Sequence, residues 1–207
     1  MSENVETIER LRQAQSSNPE MVGEIMEEHR DRLRRMIRLR MDRRLQGRVD
    51  ASDILQEAYI EASERLAEYL DNPKMPFGLW LRFIAGQKTM QMARRHLGVQ
   101  ARDVNREISI YQGAVPQVAS AVLAARLIGQ VTSPSMKIMK AEMKIRLQET
   151  LDEMDEIDRE IIALRHFEQL SLKEAGQILE ISHSAACNRY VRALERLKDL
   201  IGEFPLK

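Results

Sequence analysis

Residues 171–182, Ser-Leu-Lys-Glu-Ala-Gly-Gln-Ile-Leu-Glu-Ile-Ser, run into an arginine-studded segment that extends to Lys198, and their reading decides the fold. Ser171 and Glu174 have S-x-x-E spacing, in which the hydroxyl accepts from the backbone N–H of Glu174 while the carboxylate reaches back to the cap. A helix therefore starts just after Ser171. It ends near Leu179, because Ser182 is a good N-cap for a second helix that buries Ala186, Tyr190, Ala193, Leu194, Leu197 and Ile201 at steps of three and four. Two helices joined by a three-residue turn read as a helix-turn-helix, which makes DNA the first partner to consider. The second helix would enter a major groove with its N-terminal half, presenting the residues opposite the buried stripe. Ser184, Cys187, Asn188 and Arg192 fall there, with Arg189 on the flank of the stripe and Arg196 and Lys198 farther along. Phosphate contacts fix register, and base-edge contacts carry sequence information.

The rest of the chain is also helical in pattern. Of 207 residues 43% are hydrophobic and only 4% aromatic, and no alternating run bounded by turns suggests a sheet. The expected fold is all-α, with two small helical domains rather than one large core. An amphipathic piece from about Val5 to Gln15 stops at Ser16-Ser17-Asn18-Pro19, and a long basic helix is expected over roughly Glu20 to Leu45. After Gly47, Asp50 or Ser52 can cap a helix with Ile54, Ala58, Ala62 and Leu66 on one side. Asn72-Pro73 and Pro76 break that run. The following helix, about Phe77 to His96, ends with Arg94-Arg95-His96, cations at the end where the helix dipole favours them. Residues 99–134 lack a sustained stripe before about Val118 and read as a linker containing at most a short helix. Ser133 and Pro134 then suit a cap and a first helical position. The expected domains are thus residues 1–98 and 135–207, joined by a linker over 99–134.

Charge narrows the function. The formal net charge is zero, which argues against a protein that holds DNA by bulk electrostatics. The distribution is uneven, however: Arg30 to Arg48 contains nine Arg and two Asp, the pattern of a nucleic-acid-facing patch or of a solvated helix face. The single cysteine, Cys187, excludes an internal disulfide and a multi-thiolate zinc site, and suits a reducing cytoplasm. No apolar run approaches the roughly 20 residues that span a bilayer, so no membrane insertion is expected. The four histidines, His29, His96, His166 and His183, form no metal-spaced pair, and no phosphate loop or nucleophile–base pattern is present. Neither an enzyme nor a cofactor is expected.

Three segments in order carry a resemblance. Asp50-Ala51-Ser52-Asp53-Ile54-Leu55-Gln56-Glu57-Ala58 is similar to an acidic D-x-x-Q-E signature, Phe77-Gly78-Leu79-Trp80-Leu81-Arg82-Phe83-Ile84-Ala85 to an F-x-x-W-L-x-x-I-A segment, and Asp158 to Phe167 to the approach to a helix-turn-helix. Together they resemble the group IV, or extracytoplasmic-function (ECF), RNA polymerase sigma factors of the sigma-70 family, in conserved regions two and four. Arg94-Arg95-His96-Leu97-Gly98 and Thr132-Ser133-Pro134-Ser135 are further similar to a planctomycete-type subgroup.

The resemblance implies a cytoplasmic promoter-specificity subunit. The first domain would dock on the β′ coiled coil of core RNA polymerase and recognise and melt the minus-10 element. The linker would thread toward the polymerase active site, and the second domain, with the β subunit, would read the minus-35 element. Carried over residue by residue, Asp53, Gln56 and Glu57 would face the coiled coil, and their three- and four-residue spacing does place them on one helix face. Arg82, Lys88, Arg94 and Arg95 are the expected strand contacts at minus-10, whereas Trp80 and Phe83, at helical spacing beside Ile84, are expected in the core. Ser184, Cys187, Asn188, Arg189 and Arg192 are expected at minus-35. An anti-sigma factor or a kinase would be the regulator. This sequence departs from the family pattern at Gln87 and Gln91, at Glu180 where a glycine is usual, and at Cys187 where a basic residue is common. A free-standing helix-turn-helix regulator that binds an operator as a dimer is the alternative, and the Asp53-Gln56-Glu57 helix argues against it.

Overall fold

The structure, a computed structural model, describes residues 2–45, 47–97, 115–129 and 137–202. It contains helices and turns and, among the described residues, no strand. The chain divides into two compact units, Met1–Pro116 and Gln117–Lys207.

In the first unit α1 (Ser2–Ser17), α2 (Pro19–Glu27), α3 (Arg30–Arg40), α4 (Ala51–Glu64) and α5 (Leu66–Asp71) are followed by α6 (Phe77–Leu97). Asn18 caps α2 by accepting from Glu20 N at 3.0 Å, with Pro19 in the first turn. The expected long helix over 20–45 is broken at Glu28–His29, although neither Gly nor Pro stands there. The break has tertiary causes. The freed Met26 carbonyl accepts from His29 N at 3.0 Å and from the Tyr59 hydroxyl at 2.8 Å, and the His29 ring meets Phe77 edge-on, 5.7 Å between centroids. Past α3, Arg43–Leu45 form a single 3₁₀ turn, and Gly47, at φ +95°, takes a conformation that suits glycine. Asp50 then caps α4, so that of the two candidate caps it is Asp50 that serves.

α6 is the centre of this unit and packs against α1, α3, α4 and the 3₁₀ turn. Phe77, Leu79, Trp80, Leu81, Ile84 and Ala85 are all buried, so the helix is enclosed on more than one side. Tyr69 stacks on Trp80 at 4.5 Å, and Phe77 lies 5.7 Å from both rings. Burial pushes the Tyr69 hydroxyl pKa up to about 12, which keeps it protonated as donor to the Met75 carbonyl at 2.9 Å.

The second unit begins earlier than expected. A helix, α7 (Ser120–Gly129), lies inside the stretch read as a linker and packs on α8 (Lys137–Glu153), burying Leu123, Ala124 and Ile128. The expected cap at Ser133 and Pro134 lies outside the described residues. α9 (Glu156–Ile162) follows, capped by Asp155, and continues into a π-helical turn over Ala163–Phe167. The Arg159 guanidinium closes the end of α8, donating to the carbonyls of Leu151, Asp152 and Met154 at 2.9, 3.3 and 2.8 Å. These carbonyls otherwise have no partner within their own helix. α10 (Leu172–Leu179) and α11 (His183–Gly202) complete the unit and pack on α9.

Candidate functional site

The helix-turn-helix forms as its caps dictate. Ser171 Oγ accepts from Glu174 N at 3.2 Å, and the Glu174 carboxylate accepts from Ser171 N at 2.7 Å. Ser182 Oγ accepts from Ala185 N at 3.1 Å and opens α11. Between them, Glu180 turns the chain at φ +55°, and Ile181 N donates to the Gly176 carbonyl at 3.0 Å. Gly176 permits this approach, because a Cβ there would lie 3.0 Å from the Ile181 carbonyl oxygen. Ala186, Ala193 and Leu197 are buried beneath α11; Tyr190 and Leu194 are half-buried, and the side chain of Ile201 lies outside the described residues.

On the opposite face Ser184, Asn188 and Arg192 are exposed and Cys187 is half-exposed, with Sγ 3.6 Å from His183 Nε2 one turn back. Val191, 52% exposed, joins the same face. It was missed because an aliphatic residue in an amphipathic helix is assigned inward, yet an exposed one in a groove is suited to a thymine methyl.

Arg189, the fifth residue expected at minus-35, is set off from this face and engaged within the unit. Its Nη1 donates to Asp158 Oδ1 at 2.7 Å and to Asp155 Oδ1 at 3.2 Å, and Asp155 at the same time accepts from Ile157 N to cap α9. The guanidinium pins the recognition helix to α9 and is already neutralised. A second tie joins the Tyr190 hydroxyl to His166 Nε2 at 2.9 Å. Desolvation, helped by the Arg165 charge, pushes the His166 pKa down, so the ring is neutral near pH 7.

In the first unit Asp53 and Gln56 are exposed and Glu57 half-exposed along one face of α4, and Ile60, 61% exposed, extends the ridge by one turn. Asp53 also has a local duty, since its Oδ2 accepts from Asp50 N at 3.3 Å in a reciprocal capping box. Ile60 was legible only as a four-residue step from Gln56. Glu61, on the flank, pairs with Lys88 at 2.7 Å and Arg65 at 3.0 Å. Burial pushes its pKa up, but the hydrogen bonds from the two cations outweigh that and hold the carboxyl below the usual range.

Two of the four expected strand contacts have little exposed surface. Arg82 is only 5% exposed, because α6 is enclosed at that level, and Lys88 is committed to Glu61 between α4 and α6. Arg94 and Arg95 are exposed in the last turn of α6, and Arg95 Nη1 lies 4.0 Å from Glu57 Oε1. Trp80 is buried, as expected for a core aromatic, while Phe83 is half-buried.

With this geometry in place, the similarity to known proteins is informative. The family described as Sigma-70, region 4 matches residues 150–199, which span the end of α8 and the helix-turn-helix. The ECF RNA polymerase sigma factor SigW of Bacillus subtilis is 24% identical over 190 residues, covering 91% of this chain and 93% of SigW. Over nearly its whole length the chain is thus similar to an ECF sigma factor. The RNA polymerase sigma-D factor of the same organism is 37% identical over 68 residues, covering 33% of this chain and 27% of that protein. Among solved structures, CnrH in complex with the cytosolic domain of CnrY has the same fold, with a TM-score of 0.51 at 22% identity over 95% of this chain and 97% of CnrH.

Glu180 stands in the helix-turn-helix turn where the resemblance leads one to expect glycine. A side chain at φ +55° carries a steric cost of about 1 kcal/mol that glycine avoids. Glu180→Gly is expected to stabilise the second unit by roughly 0.5–1 kcal/mol. Slower native-state amide exchange in α10 and α11 would show this; unchanged or faster exchange would mean that contacts of the Glu180 side chain offset the strain.

Proposed function

We propose that this chain directs core RNA polymerase to specific promoters and acts in transcription initiation in the cytoplasm. The observation that carries the reading is the region 4 helix-turn-helix, whose recognition face of Ser184, Cys187, Asn188, Val191 and Arg192 is open to a major groove. This unit reads the minus-35 element while held near the β subunit. The first unit docks through Asp53, Gln56, Glu57 and Ile60 on the β′ coiled coil and brings Arg94 and Arg95 to the minus-10 strand. An exposed isoleucine flanked by carboxylates suits a helical partner with an apolar centre and a basic rim. Zero net charge fits a subunit that meets DNA inside a larger assembly, because tethering supplies effective concentration and the subunit's own affinity can be weak. No described helix is long and apolar enough to cross a membrane. CnrH was solved in complex with the cytosolic domain of CnrY, and for this chain the proposed regulator is likewise a bound protein, an anti-sigma factor.

The test is capture of bacterial core RNA polymerase. A Gln56→Ala/Glu57→Ala variant leaves the Asp50–Asp53 cap intact, so helix α4 keeps its start. Capture is expected to weaken by about tenfold or more, the scale of losing central interface residues. Equal capture by the variant would move the docking surface elsewhere, and no capture by the natural chain would sink the reading. A free-standing dimeric regulator would bind its operator without polymerase and leaves the α4 ridge without a use.

A further inference from the structure

The arginine run on α3 and the following corner takes no part in the surfaces described so far. Its side chains divide clearly. Arg40 is buried and donates to the Pro116 carbonyl at 2.7 Å, and Arg44 is paired with Asp42 at 2.7 Å. Arg38, Arg43 and Arg48 are exposed, and among the described residues none of the three makes an ion pair. Arg34 sits beside them half-buried, its Nε shielded from solvent and without a hydrogen-bond partner among the described residues.

These side chains are held at one corner. Arg38 lies in the last turn of α3, Arg43 opens the 3₁₀ turn, and Arg48 follows Gly47, while Met41 and Leu45 in the loop are buried. The Leu45 carbonyl accepts from Arg48 N at 2.9 Å and Val49 N at 3.1 Å, and Asp42 accepts from Arg44 N at 2.8 Å. Of the carboxylates at this corner, Asp42 is paired with Arg44 and Asp50 is engaged as the cap of α4. The Asp50 pKa is lowered first by the Ser52 backbone N–H and only then by the fields of Arg34 and Arg38.

We propose that this α3–α4 corner binds the phosphate backbone of DNA through Arg38, Arg43 and Arg48, a contact separate from both the recognition helix and the end of α6. The proposal rests on the promoter-binding reading and adds a surface to it. Chemistry favours phosphate over a general acidic surface. All nine cations between Arg30 and Arg48 are arginine and none is lysine, and the planar guanidinium presents paired donors that match phosphate oxygens. Elsewhere Arg10, Arg65, Lys88 and Arg189 are neutralised by carboxylates of the protein itself. In a chain of zero net charge, a fixed corner of unneutralised arginines is a local positive field, the footprint of a phosphate site.

The experiment uses the full chain and two fluorescent probes, a single-stranded oligothymidylate and a mixed-sequence duplex, with anisotropy titrations between low and moderate salt. Loss of three phosphate contacts in an R38Q/R43Q/R48Q variant is expected to reduce the slope of log K against log salt by about 2.7 on the duplex or about 2.1 on the single strand. The probe that shows the loss identifies the form of DNA bound. The R38K/R43K/R48K variant is expected to keep the slope, as is an R10Q/R126Q/K144Q variant that removes the same charge elsewhere. An unchanged slope in the glutamine variant, or no DNA binding by the natural chain at the lowest salt, overturns the proposal. So does a loss confined to core-polymerase capture, which would assign the corner to an acidic protein surface. If the natural chain captures no polymerase, the sigma reading fails, while the slope still decides whether the corner binds phosphate.

Discussion

Phe77→Ala is expected to destabilise the first unit by about 3–5 kcal/mol, the range for truncating a buried aromatic ring. The residue is 1% exposed and touches three rings from three other places in the unit: His29 at the α2–α3 break, Tyr69 on α5 and Trp80 on its own helix. It is also the first residue of α6, and its N–H reaches Asn4 Oδ1 of α1 at 3.4 Å. Removing the ring leaves a cavity beside Tyr69 and Trp80, which are held in place by their mutual stacking and by the bond from the Tyr69 hydroxyl to the Met75 carbonyl. Collapse into the space would break that stack. Against a total stability of roughly 5–15 kcal/mol, such a loss is a large fraction. Trp80 is the only tryptophan, so its fluorescence reports this unit during urea unfolding. With m near 1–3 kcal/mol/M the midpoint should fall by roughly 2 M. Phe77→Leu, which keeps most of the volume, should cost less than half as much. A loss below about 1 kcal/mol for the alanine variant would show that the site relaxes instead of opening a void.

The same cluster explains what the sequence could and could not disclose. Caps are local, so Ser171 with Glu174, Ser182 and Asp50 were legible from residue type and spacing, and with them the helix-turn-helix and the start of α4. The break at Glu28–His29 was not, because its causes, Tyr59 and Phe77, are far away in the chain. Helix α7 was nearly invisible because its apolar stripe of Leu123, Ala124 and Ile128 is short and made partly of small residues; packing on α8 supplies what local pattern lacks. For the site residues, charge was legible and direction was not. In a helix with one wet face, an arginine points outward by default. α6 is enclosed on several sides, and Arg82 is buried there.

Arg189 is the sharpest case, and its truncation is the second large effect expected. Asp158 retains 11% of its side-chain exposure and Arg189 28%, with 2.7 Å between Nη1 and Oδ1. Arg189→Ala would leave the Asp158 carboxylate largely buried without its cation. Breaking a fully buried pair costs about 3–5 kcal/mol, and the partial exposure of this one lowers the expectation to about 2–3 kcal/mol. Arg159 closes α8 without Arg189, and Asp155 keeps its capping bond from Ile157 N when the guanidinium is gone, so the loss should concentrate where α9 meets α11. Native-state hydrogen exchange is the suitable measurement. Amides of α9 and α11 should exchange on the order of 30- to 100-fold faster, since each 1.4 kcal/mol is about a factor of ten. The salt dependence of DNA binding separates this role from a phosphate contact. A phosphate-bound arginine would take about 0.9 from the slope of log K against log salt when removed, whereas a residue that only orients the helix lowers affinity and leaves the slope in place. Asp158→Asn should reproduce the stability loss in part, because the amide can still accept one hydrogen bond but carries no charge. A slope that falls by a full contact in Arg189→Ala, with exchange unchanged, would return this residue to the DNA-reading face. Faster exchange with an unchanged slope would establish that the recognition helix is aimed by a buried ion pair, and that sequence discrimination rests on Ser184, Cys187, Asn188, Val191 and Arg192.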